Sequence, residues 1–326
     1  MTERGVALAL GVALLLAPIP AAAEVHRWVG PGGVISYSDR PPRLNDLTTS
    51  EPERGPRSQV SLDQVLGASG TRAQLNGLMA RLAREFGAPD GRVSARDQAA
   101  IQYVVAARLS GDRVFRLVRD DIARHLDGAK LQAKGAWLAT SIGRRVAALE
   151  QREASVDADA RVAAFARTLA ANPPSARRRE LIERLDWVTG TSDVSAQIVA
   201  GIAGSVARAG AAAAPAERRT PARYIENQVA ELQVRAAESL RESAVVSLLS
   251  TYRDLSDDEL ELFVTFESSD AGRWYNQLLS QALMRSLHRV FDEAAVAMFK
   301  AVPPERWAQP PPPPAREAME AVKLRK

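Results

Sequence analysis

Two stretches of the chain, 129 residues apart, carry one pattern. Leu126, Leu131, Trp137, Gly143-Arg144 and Leu149 lie over Leu255, Leu260, Phe266, Gly272-Arg273 and Leu278 without a gap. Leucine periods recur by chance, but a Gly-Arg pair held at a fixed distance from them is harder to obtain by accident. The match predicts a duplicated helical unit, and a duplication constrains the architecture before any single residue is weighed. In each copy the apolar spacing is that of a short helix, a break, and a second helix with the glycine in its first turn. Ser256-Asp257-Asp258-Glu259 fits a capping box, in which Ser256 accepts from the third helical amide and Glu259 reaches back to the cap amide. In the first copy Asp127 can cap, but Lys130 cannot return the bond, so that start is predicted to be weaker. Glycine inside a helix costs about 1 kcal/mol relative to alanine. Gly143 and Gly272 therefore point to close approach of a neighbouring backbone. The alternative is a ligand approaching the amides of Gly143-Arg144 or Gly272-Arg273 at a helix start.

Helix-face spacing continues on both sides of the core unit. Leu75, Leu78, Met79, Leu82 and Phe86 make one face, stopped by Gly87-Ala88-Pro89, and Ser94 can cap the next helix, whose face runs through Ile101, Val104, Val105 and Leu109. Val114, Phe115, Val118, Ile122 and Leu126 continue that face after a break near Gly111-Asp112. Later in the chain, Val194, Ile198, Val199, Ile202 and Val206 precede an Ala/Pro/Arg break from Ala211 to Pro221. Ile225, Val229, Leu232, Ala236 and Leu240 then form a long face, and Trp274 to Met298 forms another that ends at Pro303-Pro304. Outside the ungapped core the two copies align only with gaps. The expectation is a mainly α protein whose helical domain has two related halves, 61–172 and 173–303, with a short N-terminal β-hairpin. The tail, 304–326, contains Pro310 to Pro314, an extended spacer of about 15 Å, and then a short amphipathic segment with a basic end. It is either a docking tail or a frayed terminus.

The chain opens with Met1-Thr2-Glu3-Arg4, an apolar run from Val6 to Ala17, a Pro18–Pro20 break and Ala21-Ala22-Ala23. That is the plan of a secretory signal peptide over 1–23, with cleavage after Ala23. Its apolar run is shorter than the roughly 20 residues a bilayer span needs. No other segment is read as a span, so the expected location is periplasmic or secreted. The chain has no cysteine. Disulfides, cysteine-ligated zinc, a thiol nucleophile and a lipid-modified N-terminal cysteine are excluded with it. Stability must come from an apolar core, which a chain of 326 residues can readily build.

Residues 24–42 read as a β-hairpin module. Glu24 to Val29 and Val34 to Ser38 are rich in β-formers, with Gly30-Pro31-Gly32-Gly33 between them. Asp39-Arg40-Pro41-Pro42 ends the second strand, and 43–60 reads as a linker. An isolated hairpin is marginal in water, so Trp28 and Tyr37 are expected to pack on something. His26-Arg27-Trp28-Val29 followed by Gly33-Val34-Ile35-Ser36-Tyr37-Ser38-Asp39-Arg40-Pro41 resembles domain-of-unknown-function family 4124. That family is a small β-module at the front of many secreted bacterial proteins. Gly30 stands where the family usually has Asp. The resemblance implies an envelope location and no known reaction. Trp28, Tyr37 and Asp39 then form either a surface that stacks on a sugar or partner protein, or the hairpin's own core with Asp39 capping its turn.

Leu255-Ser256-x-x-Glu259-Leu260, then Phe266-x-x-Ser269-x-x-Gly272-Arg273, resembles the helical domain-of-unknown-function family 2059. Glu267 and Asp270 depart from the Tyr and Pro usual in that family. The first copy keeps only the leucines, the Trp and Gly143. The resemblance implies an all-helical fold with no assigned active site.

Little in the chain points to a chemistry. Of the histidines, His26 lies in the hairpin, and His125 and His288 lie in helices without a second histidine one turn away. A helical His-x-x-x-His metal site is therefore ruled out. Asp120-Asp121 near His125 can be drawn as an acid–base pair, but such pairs are common on solvated helices. There is no Gly-x-Ser-x-Gly, Walker loop, Gly-x-Gly-x-x-Gly or calcium loop. Arg177-Arg178-Arg179 and Arg218-Arg219 are tight basic runs; neither is interleaved with aromatics, and a nucleic-acid partner is not expected. No cofactor, metal or catalytic residue follows. The expectation is a non-enzymatic structural or protein-interaction module with an envelope protein or glycan as partner. A binding module for a small anion, lipid or glycan fragment between the halves is the alternative. A hydrolase acting on envelope polymers through a carboxylate pair such as Asp120 with Glu150 stands last.

Overall fold

Polar caps cut the chain into helices. The computed structural model describes residues 60–87, 93–155 and 157–307, and the backbone of 26–29 and 35–38. Ser61 opens α1 (Leu62–Ala68) with a reciprocal capping box through Gln64, and α2 (Thr71–Gly87) follows at once. Ser94 caps α3 (Ala95–Arg108) and Ser110 caps α4 (Gly111–Ala123). Asp127 caps α5 (Gly128–Leu138) and Thr140 caps α6 (Ser141–Glu153). After α7 (Ala158–Thr168), Ser175 caps α8 (Ala176–Thr189), which runs through Gly190 into α9 (Thr191–Ala213). Gly190 has φ 68°, the left-handed value that lets one helix stop and the next begin without a loop. The long α10 (Ala222–Thr251) precedes α11 (Asp257–Glu267), capped by Ser256, and α12 (Asp270–Ala301), capped by Ser269.

The fold is thus mainly helical, as expected. The breaks fall at or beside the expected positions, except that the α3–α4 break is at Leu109-Ser110 rather than Gly111-Asp112. Helix α7 lies within the expected helical half, in a stretch where the apolar spacing singles out no face. Near the N-terminus, His26–Val29 and Ile35–Ser38 pair as antiparallel strands with Arg27 opposite Tyr37. The side chains of Trp28 and Tyr37, and all of Asp39, lie outside the described residues.

The core is organised around α12, which packs against α3, α4, α5, α8, α9 and α11. Its inward stripe of Leu283, Leu287, Val290, Phe291 and Met298 is buried, with Leu287 and Val290 fully so. Each such side chain contributes roughly 1.5–3 kcal/mol on burial. Ion pairs pin the surrounding helices to this axis. Arg285 forks onto Asp121 of α4, Glu293 accepts from Arg113 at 2.5 Å, and Arg306, just beyond the helix, pairs with the buried Asp97 of α3. Burial pushes the Asp121 carboxyl up, but Arg285 and Arg124 outweigh it and hold it below the usual carboxylate range. Beyond α12, Val302 is buried and Trp307 folds back on Phe299, donating from its indole to the Val302 carbonyl at 3.1 Å.

One further segment has the length and composition of a span. Helix α9, 23 residues with a window of mean hydropathy 1.2, is long and apolar enough to cross a membrane by length and composition. Its apolarity comes from Val194, Ile198, Val199, Ile202 and Val206 together with its many alanines. In the structure α9 packs against α10 and α12, and Ala196, Ile198, Ala200, Gly201, Gly204 and Ser205 are among its buried residues. Small residues on that face permit the close helix–helix contact.

Trp137 is among the largest fully buried side chains, and it stacks on Phe266 with ring centroids 4.6 Å apart. Trp137→Ala is expected to lower unfolding free energy by about 3–5 kcal/mol, measured by urea denaturation. A loss below about 1 kcal/mol would contradict this placement.

Candidate functional site

Helices α5–α6 and α11–α12, which carry the recurring pattern, are where the chain concentrates unusual residues. Helices α5 and α6 and helices α11 and α12 begin at positions 129 residues apart, and α5 and α11 are each 11 residues long. The corners match atom for atom. Thr140 N–H donates to the Trp137 carbonyl at 2.9 Å, and Ser269 N–H donates to the Phe266 carbonyl at 2.9 Å. The Thr140 hydroxyl accepts from Gly143 N–H at 2.9 Å, and the Ser269 hydroxyl accepts from Gly272 N–H at 3.1 Å. Arg144 donates its guanidinium to the Ala139 carbonyl, and Arg273 donates to the Ser268 carbonyl. Both arginines cover carbonyls freed at the end of the preceding helix, which are otherwise left to water.

Gly143 and Gly272 are buried, and each lies against the end of the helix before it. A Cβ on Gly143 would overlap the Trp137 carbonyl oxygen, and a Cβ on Gly272 would overlap the Phe266 carbonyl oxygen. The structure therefore gives the glycines the packing role, and their amides are taken up by the cap hydroxyls. Arg144 and Arg273 are exposed, each at its own corner. The pairs Gly143-Arg144 and Gly272-Arg273 act as two separate corner locks.

The units meet face to face. Trp137 and Phe266 occupy equivalent positions and stack on one another with planes 6° apart. A contact between equivalent residues is what a local two-fold arrangement produces. Neighbouring contacts follow the same rule with different chemistry: Trp137 stacks near Phe263 at 6.4 Å, while the equivalent position to Phe263, Lys134, places its ammonium 5.0 Å from the Phe266 ring.

Lys134 opens a buried polar cluster on one side of this contact. Its Nζ donates to Glu267 Oε1 at 2.9 Å, and both side chains are almost wholly buried. Asn276 Nδ2 satisfies the other Glu267 oxygen at 2.8 Å, and the Tyr275 ring lies 4.8 Å from the ammonium. Glu150, 2% exposed, accepts from the Tyr252 hydroxyl at 2.7 Å. Burial pushes the Glu150 carboxyl well above its ordinary range, against the smaller downward pull of Tyr252 and Lys134. Burial likewise pushes the Tyr252 phenol up, reinforced by Glu150. An ion pair this deep costs desolvation free energy, and its stability depends on every lone pair being matched. Sequence reasoning missed this cluster. The repeat itself held the signal: Lys134 lies over Phe263, Glu267 over Leu138, and Glu150 over Leu279.

The other residues considered from sequence are dispersed. Asp120 is exposed and bound by Arg119 at 3.2 Å, whereas Glu150 is in the core, so the two carboxylates do not share a site. His125 Nδ1 sits 2.9 Å from the Asp121 carbonyl, one turn back on its own chain. Lys130 pairs with Asp270 of α12 at 3.1 Å and lies 4.0 Å from Asp127 at its own helix start. Among the described residues no cluster of three His, Asp or Glu side chains is placed to hold a metal ion. An apolar cavity of about 20 Å³ lies between α3, α9 and α12, lined by Val105, Ile202, Phe291 and Met298. A shallow depression of about 370 Å³ lies between the end of α9 and the start of α10, beside Arg208 and Arg219.

A model of the family described as Domain of unknown function (DUF4124) matches residues 12–65, the segment in which the resemblance was read. No curated protein and no solved structure matches the chain.

The corner geometry sets opposite expectations for three glycines. Gly143→Ala and Gly272→Ala should each destabilise by about 1–3 kcal/mol, because overlap with a backbone carbonyl outweighs the better helix propensity of alanine. Gly128, at the start of α5, has nothing within 4 Å of an added Cβ, so Gly128→Ala should be neutral or stabilising. Chemical denaturation of the three variants checks this, and equal effects at all three positions would refute it.

Proposed function

We propose that the chain is exported to the cell envelope and acts there as a non-enzymatic structural or protein-interaction module. In this reading a β-hairpin module over 24–42 is tethered to a helical body of two related halves, 61–172 and 173–303. The carrying observation is the junction itself: the buried Lys134 of one helical unit pairs with the buried Glu267 of the other, Asn276 completes Glu267, and Glu150 ties α6 to Tyr252 at the end of α10. The equal spacing of caps, glycines and arginines in α5–α6 and α11–α12 supports the two related halves. The resemblance of 255–273 to domain-of-unknown-function family 2059 belongs to the same proposal. Export is supported by the signal-peptide plan of 1–23, and by the front module that residues 12–65 match.

The surface offers aromatic side chains to a partner. Trp187 is 81% exposed and Tyr103 is 78% exposed. A tryptophan left in water loses the free energy it gains when a partner covers it, which is why aromatics concentrate at interfaces. Trp28, Tyr37 and Asp39 are further candidates, for an envelope protein or a glycan.

Site-specific photo-crosslinkers at Trp28, Tyr37, Tyr103 and Trp187, activated in intact cells and read by mass spectrometry, test the proposal. One of these positions should give a discrete adduct with a single envelope component. If none does, and the purified protein carries a bound small molecule instead, the interaction reading fails.

A further inference from the structure

The buried cluster at the junction contains two carboxylates, Glu267 and Glu150, and one ammonium, Lys134. The charges do not balance if all three are ionised. Glu267 is fully matched as an anion: Lys134 Nζ at 2.9 Å on one oxygen and Asn276 Nδ2 at 2.8 Å on the other. Glu150 has a neutral donor, the Tyr252 hydroxyl at 2.7 Å. The charged and titratable groups facing it come from three neighbours: Lys134 on α5, Glu267 on α11, and Tyr252 at the end of α10. Tyr275 on α12 faces Lys134 in the same cluster. From α2, Arg81 is directed at the Glu153 carbonyl, and on its own helix Glu153 is taken by Arg161 and Arg152. Lys134 is thus committed to Glu267, Arg161 pairs with Glu153, and Arg152 divides between Glu153 and Asp254.

From this geometry we infer that Glu150 is a proton switch built into the junction: protonated, it lets α5–α6 and α11–α12 close on one another, and loss of its proton weakens that contact. An ionised Glu150 puts an unbalanced negative charge beside Glu267, in a core that solvates it poorly. In the unfolded chain the same carboxyl titrates near 4.5, and in the folded protein burial pushes it well above that value. The folded state therefore binds the extra proton. Stability from this group is greatest below about pH 4.5 and falls as pH rises above it, until the folded protein also releases the proton. A protein exported to the envelope meets the pH of its surroundings, so the device would couple the joint between the units to external pH. The inference rests on the junction's charges and stands or falls independently of the interaction reading.

The test compares the folding equilibrium constant of the full chain with that of Glu150→Gln, by urea denaturation from about pH 5 to pH 9. Glutamine keeps an acceptor for Tyr252 but carries no charge. The ratio of variant to wild type should climb by up to tenfold per pH unit and then level off. Tyr252→Phe, which removes the donor that favours the carboxylate, should carry the fall in stability to higher pH than in the wild type. It also serves if Glu150→Gln does not fold. A ratio that stays flat across the range, or a Tyr252→Phe profile parallel to the wild type, overturns the inference.

Discussion

Two helices can turn back within three residues only if nothing stands between the last carbonyls of the first and the first turn of the second. Gly143 and Gly272 meet that condition, and the adjoining arginines cover the carbonyls that the turn exposes. Most of the architecture depends on this tightness. It brings the ends of α5 and α11, with Trp137 and Phe266, to the surface where the units stack. It also sets the direction in which α12 leaves its corner to become the axis of the body. A methyl group at either glycine would push apart the two helices that define the unit.

A duplicated apolar surface alone does not specify which partner it takes, because equivalent faces can pair with themselves. Here one side of the contact is apolar and the other carries Lys134, Glu267, Asn276 and Glu150. Equivalent positions hold Phe263, Leu138, Ala147 and Leu279. The two units are therefore no longer interchangeable, and the ion pair can form only when the first meets the second. Buried ionic groups add little net stability, and their best attested use is to fix register and partner. The same groups expose the junction to proton concentration, since the one ammonium is taken by Glu267 and Glu150 is left with the neutral Tyr252 hydroxyl.

Much of the fold was legible because caps and breaks are written in local residue types. Ser94, Asp127, Ser256 and Ser269 begin helices where a hydroxyl or carboxylate can take a free amide, and Gly190 ends one where only glycine adopts the backbone cheaply. The reason for Gly143 and Gly272 was also readable, since glycine in both copies argues for close approach. The candidate site was not. Lys134 was passed over because a charge within an apolar period looks like an interruption of the face, and Glu150 was paired with Asp120 rather than with the residues it meets in the core. Only the tertiary contact shows that these charges face each other's neighbours in the core. Helix α7 was missed because Val162 and Phe165 are a sparse face in an alanine-rich stretch.

The central claim is that the two corner units form one interlocked joint rather than two independent helix pairs. Native-state hydrogen exchange over 128–138 and 257–267, followed as denaturant is raised, tests it most directly. In an interlocked joint the slowest amides of α5 and α11 share one opening free energy, equal to that of global unfolding. Distinct opening free energies for the two helices, with one exchanging while the other stays protected, would contradict it.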